Sequence, residues 1–168
     1  YFIFILIVFQ GIVGWYMVKS GLINDITVSH YRLSVHLGIA FLIITSIFWL
    51  MLNFSKQKNK IFFSFSKTNL PFLILIFLIF LQIILGAFVS GLDAGQIYQT
   101  WPLMNYTYFP DDVSIKNIKD IIDFNNHSLV QFYHRNLAYL ISFYILALGF
   151  FIYSKKLKRL YNPLKSVI

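Results

Sequence analysis

The stretch LPFLILIFLIFLQIILGAFV, residues 70–89, carries no charged side chain and one amide, Gln82. An α-helix needs a run of about 20 such residues to cross the hydrocarbon of a bilayer. Three more runs of similar length and character flank it, Tyr1–Val18, Leu33–Leu52 and Leu129–Tyr153. The chain of 168 residues is 58% hydrophobic and 12% charged, against about 25% charged in ordinary soluble domains. A soluble helix that is apolar all round has to be hidden inside a large protein. Here almost the whole chain is such helix, and too little polar sequence is left to cover it. The expected fold is therefore all-α and integral to a membrane. Residues 1–168 form a single membrane domain with transmembrane helices at about 1–20, 31–53, 70–91 and 128–154.

The net charge of +8 is distributed as a topology signal. Lys56, Lys58, Lys60 and Lys67 lie between the second and third runs, and Lys155, Lys156, Lys158, Arg159 and Lys165 follow the fourth. All six acids (Asp25, Asp93, Asp111, Asp112, Asp120 and Asp123) lie in the other two connections. Basic loops stay on the cytoplasmic or matrix side, so the path alternates and the acidic connections are external. This pattern explains the charge without nucleic acid. The absence of cysteine removes disulfides, thiolate metal sites and cysteine nucleophiles. The chain opens with Tyr1 inside an apolar run with no basic segment before it, as expected for an internal piece of a longer polypeptide or a processed product.

The long external connection, 92–127, contains VSIKNIKDIIDF. Ile115, Ile118 and Ile122 recur at helical spacing, with Lys116, Lys119, Asp120 and Asp123 on the other face. The spacing predicts a short amphipathic helix on the outer membrane surface. Tyr98, Trp101, Tyr106 and Tyr108 suit an interfacial aromatic belt, as Phe62, Phe63 and Phe65 do at the internal connection. His30 and His127 read as solvated loop residues.

A repeat runs through the apolar segments. FQGIVG (9–14) resembles LQIILG (81–86), matching Gln10 and Gly14 to Gln82 and Gly86. HLGIAFLI (36–43) resembles HRNLAYLI (134–141), matching His36 and Ala40 to His134 and Ala138. A glutamine helix followed by a histidine helix thus occurs twice, a pattern that often frames binding sites in membrane proteins. Each of these histidines lies one to two turns inside its helix. An interhelical hydrogen bond, typically worth about 0.6 kcal/mol, would account for either one alone. Arg32 and Arg135 lie close by. An arginine at the bilayer centre costs about 3 kcal/mol, whereas near the interface it can snorkel to water. Two equivalent sites favour axial ligation of haem. Neutral imidazole suits iron, an alanine one turn on leaves room for a flat macrocycle, and an arginine suits anionic propionates. Zinc is disfavoured because no further Cys, Glu or His completes a site.

LQIILGAFVSGLDAGQIYQTWPLM (81–104), FQGIVGWYMVKSGL (9–22), VSHYRLSVHLG (28–38) and NHSLVQFYHR (126–135) resemble, in order, the signature segments of the haem A synthase family of mitochondrial and proteobacterial type. The lack of cysteine suits that branch. The resemblance implies an eight-helix protein made of two pseudosymmetric four-helix halves, with this chain supplying the third to sixth helices. It implies oxidation of the C8 methyl of haem O to a formyl group, giving haem A for cytochrome c oxidase. His36 would hold the iron of the substrate haem, and His134 that of a haem b cofactor. Arg32, Asp93 and Arg135 would support propionates or the external loop, with a turn or helix-end role equally open for Asp93.

The family's glutamate and its remaining histidines belong to helices outside this chain, which contains no glutamate. The chain alone is expected to be inactive. A b-type cytochrome that only passes electrons is the alternative activity, and a non-haem assembly or transport protein with structural histidines is a third reading. Expected partners are haem O synthase and cytochrome oxidase assembly proteins, with a homo-oligomer open. The expected location is the bacterial inner membrane, with the mitochondrial inner membrane as the alternative.

Overall fold

The computed structural model describes residues 1–21, 28–55 and 69–156, without the side chains of Asn53 and Ser55. Most of the basic residues behind the topology reading, the internal phenylalanines and Asp25 lie outside these residues. Four long helices are present: α1 (Phe2–Gly21), α2 (His30–Ser55), α3 (Leu70–Gly91) and, after the long connection, α5 (His127–Ser154). All four are long and apolar enough to cross a membrane. Among the described residues there is no β-strand, only an isolated bridge between Met104 and Thr107.

The helices form an antiparallel row, with α1 against α2, α2 against α3 and α3 against α5. Local chemistry sets several of the ends. Pro71 sits in the first turn of α3, where its missing N–H leaves no bond unmade. The side chain of Asn126 caps α5 by accepting from the Leu129 amide at 3.1 Å. Where α3 ends, Asp93 takes a left-handed backbone, φ 50°, and turns the chain into a single 3-10 turn at Ala94–Gln96.

The tightest packing lies at the loop end of the row rather than at mid-span. Ala94, Tyr98 and Met104 of the connection are buried together with Leu129 and Val130 of α5. Within the spans few apolar side chains are fully buried, and those of α1 and α2 are mostly exposed, because lipid can solvate them and no hydrophobic drive pulls such helices together.

Three sequence readings change here. His30 is the first residue of α2 and is buried, 7% exposed, rather than a solvated loop residue. Gly91 makes this possible: a Cβ there would lie 2.8 Å from both Cα and Cβ of His30. The His30 ring meets Phe88 edge-on at 5.3 Å. Tyr98 is not a belt residue but is buried in the loop core. The amphipathic helix shrinks to one turn, α4 (Ile118–Ile121). The Asp120 carboxylate accepts from the amides of Lys116 and Asn117, both at 2.8 Å, which fixes the start of the turn after Ile115. Ile118 and Ile122 are exposed.

Candidate functional site: two matched histidine cages

His36 lies two turns into α2 and faces α1. Its Nε2 is 3.2 Å from Gln10 Nε2. The ring rests on Gly14, where a Cβ would come within 2.9 Å of Cε1. His134 lies two turns into α5 and faces α3. Its Nε2 is 3.3 Å from Gln82 Nε2, and its ring rests on Gly86, where a Cβ would come within 3.3 Å of Cε1. The same three residue types therefore build the same cage twice, once in α1–α2 and once in α3–α5. The periodicity of a helix explains the set. Gln10 and Gly14, like Gln82 and Gly86, are four residues apart and share a face, so the amide and the bare backbone meet the same ring.

Among the described residues each cage leaves two buried polar atoms without a partner, Gln10 Oε1 with His36 Nδ1 and Gln82 Oε1 with His134 Nδ1. Orphaned groups of this kind are rare in finished interiors, and here they recur in matching positions. The two imidazoles belong to different helix pairs, and each has its own glutamine.

The other residues expected at the site fall outside both cages. The Arg135 guanidinium donates to the carbonyl of Thr100 at 2.8 Å and to that of Tyr98, and so ties the connection to α5. Arg32 lies over the Tyr16 ring, 5.1 Å from its centroid. Asp93 is an exposed turn residue at the end of α3. Sequence reasoning also missed a polar cluster under the connection. The Tyr98 hydroxyl donates to Asp111 at 3.0 Å and to Asp112 at 2.6 Å, and the Ser128 hydroxyl donates to Asp112 at 2.6 Å. The Gln131 amide donates to the Tyr98 carbonyl at 2.9 Å. Burial pushes the Tyr98 hydroxyl up to about 12, helped by its bonds to the two carboxylates. Burial opposes ionisation of Asp112 as well, but the hydroxyls of Ser128 and Tyr98 outweigh it and hold the carboxyl below its ordinary range.

A separate hollow of about 250 Å³ lies between α2 and α3, lined by Ser34, Gly38, Ile39, Phe80 and Ile84 among others. It is apolar and contains neither caged histidine.

Fold and site together define a multi-span helical membrane protein with two equivalent interhelical histidine sites. Comparison with known proteins makes this specific. The model of the cytochrome oxidase assembly protein family, COX15-CtaA, matches residues 1–167, and the chain belongs to that family. It is 51% identical over 156 residues to a protein named Heme A synthase from Pelagibacter ubique, covering 93% of this chain and 45% of that one. A Heme A synthase from Parvibaculum lavamentivorans is 43% identical over 141 residues, covering 83% of this chain and 40% of the relative. One from the Wolbachia of Brugia malayi is 39% identical over 162 residues, covering 96% and 48%. The chain thus spans under half the length of these relatives. No solved structure matches it.

Proposed function

We propose that the whole protein is a haem A synthase of a bacterial inner membrane, oxidising the C8 methyl of haem O to the formyl group of haem A for cytochrome c oxidase. The observation that carries this reading is the 51% identity, over 93% of the chain, to a relative of that name. The paired cages support it. Methyl to formyl removes two hydrogens and adds one oxygen, a four-electron oxidation that needs an electron acceptor and an oxygen donor from outside the chain; bound haem would supply the redox-active iron. The comparisons lend nothing to the alternative of a b-type cytochrome.

The residues present fit a tetrapyrrole ligand set. A neutral imidazole gives iron one nitrogen, and its other nitrogen usually needs an acceptor. Among the described residues each cage holds an imidazole with one polar partner and an amide oxygen that has none. Ala40 and Ala138, one turn on, keep the neighbouring surface small. In this reading His36 ligates the iron of the substrate haem and His134 that of haem b. Gln10 and Gln82 hold the rings through Nε2 while no iron is bound there. Arg32, near the loop end of α2, receives a propionate in this reading on leaving the Tyr16 ring. Arg135 acts first through the connection, holding it down over the end of α5, with a propionate role secondary. Asp93 serves as the turn that starts the connection. Haem O synthase and oxidase assembly proteins are the natural partners.

The test is haem extraction from cells lacking the full-length gene. Haem O should accumulate in the deletion strain, and haem A should return on complementation. Haem A unchanged in the deletion strain overturns the assignment.

A further inference from the structure

The two cages differ in one bond. Gln82 Nε2, besides lying 3.3 Å from His134 Nε2, donates to the His134 backbone carbonyl at 3.1 Å. Gln10 has no such second bond. Among the described residues its side chain meets only His36 Nε2, at 3.2 Å, and its Oε1 is buried without a partner. In both rings the Nδ1–Cε1 edge rests on a glycine of the facing helix; for His36 a Cβ on Gly14 would reach Nδ1 at 3.4 Å. Nδ1 is buried in both rings and lies nearer the glycine than Nε2 does, so Nε2 is the nitrogen left to iron. In each cage the glutamine occupies that same atom.

We propose that Gln10 is a latch on the first site. It closes His36 Nε2 when the site is empty, has to let go when a tetrapyrrole iron binds, and thereby makes this the exchanging site. This inference rests on the haem reading of the two cages. When iron takes His36 Nε2, Gln10 loses its one polar partner, and a buried amide without a partner is costly. That cost favours return of the amide to the ring and departure of the haem. When iron takes His134 Nε2, Gln82 keeps its bond to the carbonyl, so the second site loses less and retains what it holds. A substrate site has to exchange and a cofactor site has to retain, and one backbone hydrogen bond separates the two. Gln10 is a positioning residue in this scheme, acting through His36.

The test is haem loss from the full-length protein in detergent, followed as transfer to excess apomyoglobin. Wild type should show a fast and a slow phase, and His36→Ala should lack the fast one. Gln10→Leu should slow the fast phase about fivefold, the equivalent of about 1 kcal/mol for one net hydrogen bond. Gln10→Asn, too short to reach the ring but still polar, should slow it in the same direction and serves where the leucine variant does not accumulate. Gln82→Leu should leave the fast phase unchanged. A merely structural Gln10 would instead speed haem loss when replaced. A fast phase that is unchanged or quicker in the Gln10 variants, while His36→Ala removes it, overturns the latch and leaves the haem reading standing. A fast phase that survives His36→Ala overturns both.

Discussion

Gly14 and Gly86 set how deeply the two imidazoles sit against their partner helices, and they do so with different tolerance. A Cβ on Gly14 would stand 2.9 Å from His36 Cε1, closer than real contacts allow, so the ring would be pushed out of the position from which it ligates. On Gly86 the distance to His134 Cε1 is 3.3 Å, a strain that a few tenths of an ångström relieve. Overpacking of this kind costs about 1–3 kcal/mol. Gly14→Ala should therefore lower haem occupancy of the first site about tenfold or more, while Gly86→Ala lowers that of the second by a factor of only a few. Haem content per protein, taken with the thermal midpoint in detergent, checks this; equal losses in the two variants would contradict it. The sequence showed these glycines and glutamines as matched positions in a repeat. It could not show that the glutamine amide meets the ring nitrogen, nor that one amide has a second bond, because both depend on the rotation and depth of two helices whose apolar faces look alike in sequence.

Among the elements, the connection between α3 and α5 departs most from its sequence reading. Hydropathy sees tyrosines near a membrane end and suggests an interfacial belt. The Tyr98 hydroxyl instead finds carboxylates 13 and 14 residues further on, and that pairing across a loop has no periodic signature. The cluster gives the loop a pH window. Tyr98 titrates in the fold at about 12 against 10.0 ordinarily. A raised value means that its stabilisation is complete below pH 10 and is lost as pH rises towards 12. Asp112 is shifted the other way, so its contribution is present above the ordinary 3.8 and is lost as pH falls through its depressed value. The loop should hold across the neutral range and loosen at both extremes. Tyrosinate absorbance should reveal one tyrosine titrating near 12 in the wild type and missing in Tyr98→Phe. A wild-type-minus-mutant difference centred at 10 would rule out the buried cluster.

At the scale of the whole molecule, the row of helices keeps the two cages apart. His36 is enclosed by α1 and His134 by α3, and α2 lies between the two facing helices. The four spans were legible because apolar runs near 20 residues have few other uses. The helix order in the row, and with it the separation of the histidines, was not, since the same pattern would also fit two imidazoles on one iron. Separate cages make separable losses the central expectation of the haem reading. In the full-length protein, His134→Ala should abolish retention of haem b and, with it, conversion of haem O. His36→Ala should spare haem b and stop conversion alone. Bound haem measured by pyridine haemochrome, beside haem O and haem A separated from whole membranes, distinguishes these outcomes. Loss of haem b to the same extent in both variants would mean that the cages act as one site and would overturn the two-site reading.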